Sequence, residues 1–197
     1  MQSISKEALA NLPIRRYEGR ISLVETAQAL VEARADIRQE RVVGLDTETR
    51  PSFKKGESHL PCLVQAATAR AVYLFQLSRL EVFPALVELL AKQEIVKTGV
   101  GLAYDLSQLK LVFPFNVENV LDLGVIARRR GLGQTGVRNL AGMFLGFRIP
   151  KGNRTSNWAV PRLSPAQINY AATDAWASRE LYLRFEKEGL LQAPPPA

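Results

Sequence analysis

Val42-Val43-Gly44-Leu45-Asp46-Thr47-Glu48 is an apolar run of strand length that ends in two carboxylates one residue apart. Side chains alternate across a strand, so Asp46 and Glu48 share one face. Two carboxylates gathered at a strand end repel one another unless a cation lies between them. Hard divalent ions such as Mg²⁺ take oxygen ligands of this kind. Taken alone, an Asp-x-Glu pair reads equally well as a strand running out into solvated loop acids.

Further strand-length runs of apolar or β-branched residues follow at 63–68, 72–75 and 95–98. Before the first strand, Leu23, Ala27, Leu30, Val31 and Ala35 recur at helical spacing and predict a helix over 22–38. Helical patterns also cover 80–92 and 102–112, the latter with a Leu102, Leu106, Leu109 stripe. After Asp122 the pattern is mostly helical, broken at Pro150-Lys151-Gly152-Asn153. Ser164-Pro165 supplies an N-cap with proline at the first helical position, and a long helix is expected from there towards Lys187. Strands alternating with helices, then a helical C-terminal part, give an α/β class with a mixed central sheet. An all-β or coiled-coil fold is excluded.

With 197 residues and 47% apolar content, the chain is expected to form one domain over 21–190. Residues 1–20 form an N-terminal arm carrying Pro13 and the Arg15-Arg16 pair, and the Pro-rich 191–197 is expected to be a disordered tail. No apolar stretch is long enough for a transmembrane helix. The first residues lack the apolar region of a secretory signal, so a cytoplasmic location is expected. Cys62 is the single cysteine and His59 the single histidine, which excludes a thiolate zinc site and leaves any metal to oxygen ligands. A Ser-His-Asp hydrolase is disfavoured too, since His59 would be its only base and no Gly-x-Ser-x-Gly elbow occurs.

The formal charge is +7, and its distribution is uneven. From Leu123 to Thr173 there are eight cationic residues and no Asp or Glu, whereas the remainder carries 18 cationic and 19 anionic residues. Within or near this block Arg128, Arg129, Arg130, Lys151 and Arg154 are expected to bind nucleic-acid phosphates, with Lys54 and Lys55 beside the first acidic pair. A solvated basic face is the alternative. Trp158 is read as packing under the basic loop rather than stacking on a base.

Two more motifs bear carboxylates. In Lys97-Thr98-Gly99-Val100-Gly101-Leu102-Ala103-Tyr104-Asp105 a strand leads through glycines into a helix, without the third glycine of a dinucleotide fingerprint. Asp105 then falls in the first helical turn, where its charge also suits the helix dipole. In Tyr170-Ala171-Ala172-Thr173-Asp174 the spacing of four puts phenol and carboxylate on one helix face. The two alanines permit close approach to the sheet.

In this order the three motifs, with Ser156-Asn157-Trp158, resemble the tyrosine subclass of the DEDD 3′-5′ exonucleases, such as the exonuclease domain of the Werner syndrome helicase and small bacterial ribonuclease D-like exonucleases. The resemblance spans roughly 40–188 and implies a ribonuclease-H-like (DnaQ-like) fold with a five-stranded mixed sheet. It also implies a site of two divalent ions, Mg²⁺ or Mn²⁺, and catalytic roles for Asp46, Glu48, Asp105, Tyr170 and Asp174. By resemblance Asp46 bridges both ions, Glu48 and Asp174 hold the ion on the nucleophile side, and Asp105 supports the second. Tyr170 orients the attacking water. Thr49 stands where Werner-type domains often carry an aromatic residue, so base stacking there is not expected. Neither a helicase region nor ribonuclease D's helical repeats fit in this length, so the chain reads as the catalytic module.

The implied reaction releases nucleoside 5′-monophosphates from single-stranded or recessed 3′ ends, DNA being favoured and RNA admitted. The competing readings are a nuclease of short oligoribonucleotides and a catalytically silent nucleic-acid-binding module.

Overall fold

The computed structural model describes residues 3–54, 56–152 and 155–192. Lys55, Arg154 and the tail from 193 onward, three of the features singled out above, lie outside the described residues. The elements run α1 (Lys6–Asn11), β1 (Arg20–Leu23), α2 (Ala27–Ile37), β2 (Val42–Thr49), β3 (Pro61–Ala67), β4 (Ala71–Gln76), α3 (Phe83–Ala91), β5 (Val96–Gly99), α4 (Leu102–Leu109), β6 (Val120–Asp122), α5 (Leu123–Arg129), α6 (Val137–Leu140) and α7 (Pro165–Lys187). They build an α/β/α sandwich on one mixed sheet of order β1-β4-β3-β2-β5-β6. β2, β3 and β4 form an antiparallel meander; β1, β5 and β6 pair in parallel.

The sheet has six strands rather than five. The additional edge is β1, paired from Arg20↔Ala71 to Leu23↔Leu74. Leu23, placed above in a helix beginning at 22, therefore belongs to a strand. The helix starts only after Thr26, whose side chain accepts from Ala29 N–H. The buried stripe of α2 also differs from the expected one. Ala33 and Ile37 enter the core with Leu30 packed against it, while Val31 stays 61% exposed, because the face carrying Leu30, Ala33 and Ile37 is the one that meets the sheet. β6 is three residues long and leaves too short a pattern to be seen in sequence.

Alternation along β2 decides which residues meet which layer. Val43 and Leu45 join Val64, Phe75, Leu86 and Leu102 in the core under α2, α3 and α4. The other face carries Gly44, Asp46 and Glu48 and receives α7, with Leu63, Ala67 and Leu74 packed on Ala171, Ala172 and Ala175. At the crossing the chains nearly touch. A Cβ on Gly44 would lie 2.2 Å from the Ala175 carbonyl oxygen and 2.8 Å from Arg179 N. Gly44 thus sets the height of α7, and with it the position of Asp174 above Asp46. Gly44→Ala should push the helix outward, costing about 1–3 kcal/mol and weakening Mn²⁺ binding. Urea denaturation and Mn²⁺ titration would show this, and a wild-type midpoint would refute the close crossing.

α7 is capped by Ser164, whose side chain accepts from Gln167 N–H while Gln167 Oε1 accepts from Ser164 N–H, a complete capping box. The N-terminal arm lies along the body. Arg148 N–H donates to Pro13 O at 2.9 Å, and Arg15 N–H to Arg148 O at 3.1 Å. Tyr17 N–H reaches Thr173 Oγ1 at 3.1 Å. Among the described residues no helix is long and apolar enough to cross a membrane.

Candidate active site

Asp46, Glu48 and Asp174 bring one carboxylate oxygen each within 4.8 Å of one another. β2 supplies the first two, and its register against β3 shifts just after Glu48. An irregularity of this kind re-aims side chains at a strand end. α7 supplies Asp174, which is 5% exposed. Asp105 comes from the opposite layer, in the first turn of α4. That helix starts at Gly101, whose φ of +80° is a left-handed conformation that a side chain would strain. Asp105 stands outside the close group and is hydrogen-bonded to the Thr47 side chain, yet its charge is felt at Asp46.

The electrostatics are those of acids assembled against their own repulsion. Burial, followed by the charges of Glu48, Asp174 and Asp105, holds the Asp46 carboxyl well above its ordinary range. Burial pushes Asp174 up to about 6, opposed by a hydrogen bond with Tyr170 and by the charge of Arg138. Burial also pushes Asp105 up to about 6, opposed by the bond to Thr47 and increased by Asp122. Asp174 Oδ1 is buried with no hydrogen-bond partner, an orphan that a cation would satisfy. Hard oxygen donors, mutual repulsion and an unpartnered carboxylate oxygen together fit divalent ions.

Tyr170 sits one turn before Asp174 and is hydrogen-bonded to it. Its ring tilts against Trp158 with centroids 6.0 Å apart, and Gly152 lies close against it. Burial and then the Asp174 charge raise the phenol above its ordinary range. Trp158 is 1% exposed, a packing residue as expected. His59 lies near Glu57, at 3.5 Å, in the loop after β2.

The cationic residues scatter more widely than the sequence block implies. Lys54, Arg128, Arg129 and Lys151 are exposed. Lys151 lines a cleft with Tyr170. Arg130 is turned elsewhere: its guanidinium donates to the carbonyls of Gly189, Leu190 and Gln192 at 3.2, 3.2 and 2.7 Å. These follow the end of α7, and Lys187 is thirteen residues beyond Asp174, about 20 Å along a helix. Arg130 thus ties the end of α5 to the segment that follows α7, and with its guanidinium so engaged it is expected to contribute less to a phosphate surface than Arg128 and Arg129. Arg130→Ala should cost about 1–2 kcal/mol in thermal or urea denaturation and leave the salt dependence of oligonucleotide binding unchanged. A flattened salt dependence would return Arg130 to the binding surface.

Three neighbours of the site were not singled out above. Asp122 caps α5 through Gly124 and Val125 N–H, and also accepts from Gly101 N–H at 3.3 Å. Arg138 donates from Nε to Ile149 O at 3.2 Å, with its charge reaching Asp174. Gln65 pairs across the strands with Asp46, 0% exposed, with both amide atoms unpartnered. A lone amide inside the apolar run Leu63-Val64-Gln65-Ala66-Ala67 was its sequence signal.

Residues 21–190 match the family described as 3′-5′ exonuclease. A 3′-5′ exonuclease of Arabidopsis thaliana is 28% identical over 91% of this chain and 68% of its own length. Ribonuclease D of Haemophilus influenzae is 32% identical over 81% of this chain and 40% of its own. Of the other curated relatives described, the chain spans between 14% and 44%. Among solved structures, the Nibbler EXO domain of Aedes aegypti superposes with a TM-score of 0.76 at 24% identity, covering 90% of this chain and 98% of that one. The likeness takes in the sheet, α7 and the residues between them, so this chain belongs to the 3′-5′ exonuclease family.

Proposed function

We propose that the chain hydrolyses phosphodiester bonds at nucleic-acid 3′ ends with two divalent ions, Mg²⁺ or Mn²⁺, releasing nucleoside 5′-monophosphates, with DNA the favoured substrate. The observation that carries this is the meeting of Asp46, Glu48 and Asp174 within 4.8 Å, beside a tyrosine hydrogen-bonded to one of them. Asp46, Glu48, Asp105 and Asp174 are the residues that would hold the ions. When bound, the ions supply Lewis-acid stabilisation of the charge on the attacking and leaving oxygens. The protein does the positioning. Glu48 and Asp174, from two different elements, would hold the ion on the nucleophile side, with Asp46, which lies within 4.8 Å of both and feels the charge of Asp105, contributing to either ion. Tyr170 keeps its proton at neutral pH, so its hydroxyl orients water instead of removing a proton from it.

A second reading is hydrolysis of short oligoribonucleotides; the 32% identity to a protein named ribonuclease D supports RNA as its substrate class. Digestion of 3′- and 5′-labelled DNA and RNA, from dinucleotides to recessed duplexes, tests both. Metal-dependent release of mononucleotides from the 3′ end is expected. Faster loss of RNA dinucleotides than of DNA would favour the second reading, and no metal-dependent shortening of any substrate would overturn both.

A further inference from the structure

A cleft of about 470 Å³ opens beside Tyr170, between the N-terminal arm, the segment from Ile149 and the first turns of α7. Among the described residues its walls include Arg16, Lys151, Asn169 and Thr173 and no Asp or Glu. Arg16 is fixed there from both sides. Arg15 N–H is bonded to Arg148 O and Tyr17 N–H to Thr173 Oγ1, each at 3.1 Å. The backbone carrying Arg16 is therefore ordered before any ligand arrives, which lowers the entropy cost of using the side chain. Residue 16 also lies outside the stretch, 21–190, that matches the family.

Tyr170 joins this cleft to the carboxylates, since it lines the cleft and is hydrogen-bonded to Asp174. We infer that the cleft is a phosphate subsite, in which Arg16 and Lys151 hold a backbone phosphate of the substrate strand on the 5′ side of the scissile bond. The polarity follows from the exonuclease reading, on which this subsite rests. The scissile phosphate belongs at the carboxylates, and the nucleotide being released carries no other. A phosphate in the cleft therefore belongs to the strand that remains. A guanidinium and an ammonium with no competing acid on the walls suit such a group.

The test is binding of a 5′-labelled oligonucleotide to the full chain, with metal withheld, over a salt series. Arg16→Ala is expected to weaken binding roughly fivefold to thirtyfold and to reduce the log-affinity versus log-salt slope by about 0.7. Arg16 is exposed, so the variant should fold, and Arg16→Lys should restore most of the slope. A second series replaces single phosphates near the 3′ end by neutral methylphosphonates. One linkage on the 5′ side of the scissile bond should carry a reduced penalty in Arg16→Ala, the remainder being held by Lys151. Wild-type affinity and slope in Arg16→Ala, or undiminished penalties at every linkage, would overturn the subsite. Wild-type protein that binds but never hydrolyses in Mg²⁺ or Mn²⁺ would overturn the exonuclease reading instead, and the polarity with it.

Discussion

Asp46→Asn is expected to abolish hydrolysis, by about 10³-fold or more, while leaving the fold standing. Asp46 is the acid whose carboxyl feels all the others: Glu48, Asp174 and Asp105 each raise it, beyond the effect of burial. An asparagine keeps the shape and removes the charge needed to hold cations. The same change should leave the metal-free protein level in stability or slightly more stable, because it relieves like-charge repulsion. The pH dependence gives the sign. Asp105 and Asp174, ordinarily near 3.8, are both pushed up to about 6. The folded chain thus binds protons more tightly than the unfolded one between those values. Their contribution to metal-free stability is therefore fully present below about pH 4 and is lost as pH rises through about 6. Glu88 acts in the opposite sense, drawn down to about 2 first by Arg38 and then by Arg34. Its contribution is present above 4.5 and lost only in stronger acid. Urea denaturation in chelator from pH 4 to 8 should show a decline that Asp46→Asn makes shallower and that Mn²⁺ offsets. Full turnover by Asp46→Asn at ordinary Mg²⁺ would sink the metal assignment.

Where the sequence was legible, the reason is local. The strand ending in Asp46-Thr47-Glu48, the Ser164-Pro165 helix start and the four-residue spacing of Tyr170 and Asp174 each depend on a few neighbouring residues. All three stand in the structure with the bounds and faces that alternation and capping dictate. β1 and the start of α2 were not legible, because pairing with β4 overrides a helical pattern that Leu23 had seemed to extend. Nor was the fate of Arg130. A charge count treats Arg128, Arg129 and Arg130 as one cluster, whereas the end of α7 claims the last of them.

The site also costs the fold something. Unpartnered buried side-chain atoms among the described residues include both amide atoms of Gln65, Trp158 Nε1 and Asp174 Oδ1. These lie on α7 or on the layer it covers. Each such group is a burden of roughly 1–3 kcal/mol when left dry. Asp174 Oδ1, and Gln65 opposite Asp46, place part of that burden at the carboxylates, as a site kept at the expense of stability would.

Tyr170→Phe should slow turnover at saturating substrate by about 10² to 10⁴, with little change in metal affinity near neutral pH. The ring's packing survives the substitution, since its contacts with Trp158 and Gly152 involve carbon atoms of the ring. Only the hydroxyl is lost. That hydroxyl is hydrogen-bonded to Asp174 and lowers the latter's affinity for a proton, so its removal should raise the Asp174 carboxyl further. Two signatures follow. The maximal rate falls at every pH, because the water is no longer oriented. Metal binding weakens selectively below about pH 6.5, because a proton now competes better for Asp174. A purely packing role for Tyr170 would show neither, since phenylalanine fills the same space. Single-turnover rates at saturating oligonucleotide, with Mn²⁺ titrations at pH 5.5 and 7.5, separate the cases. An unchanged single-turnover rate would reduce Tyr170 to a wall of the cleft and leave the water to be positioned by the carboxylates alone.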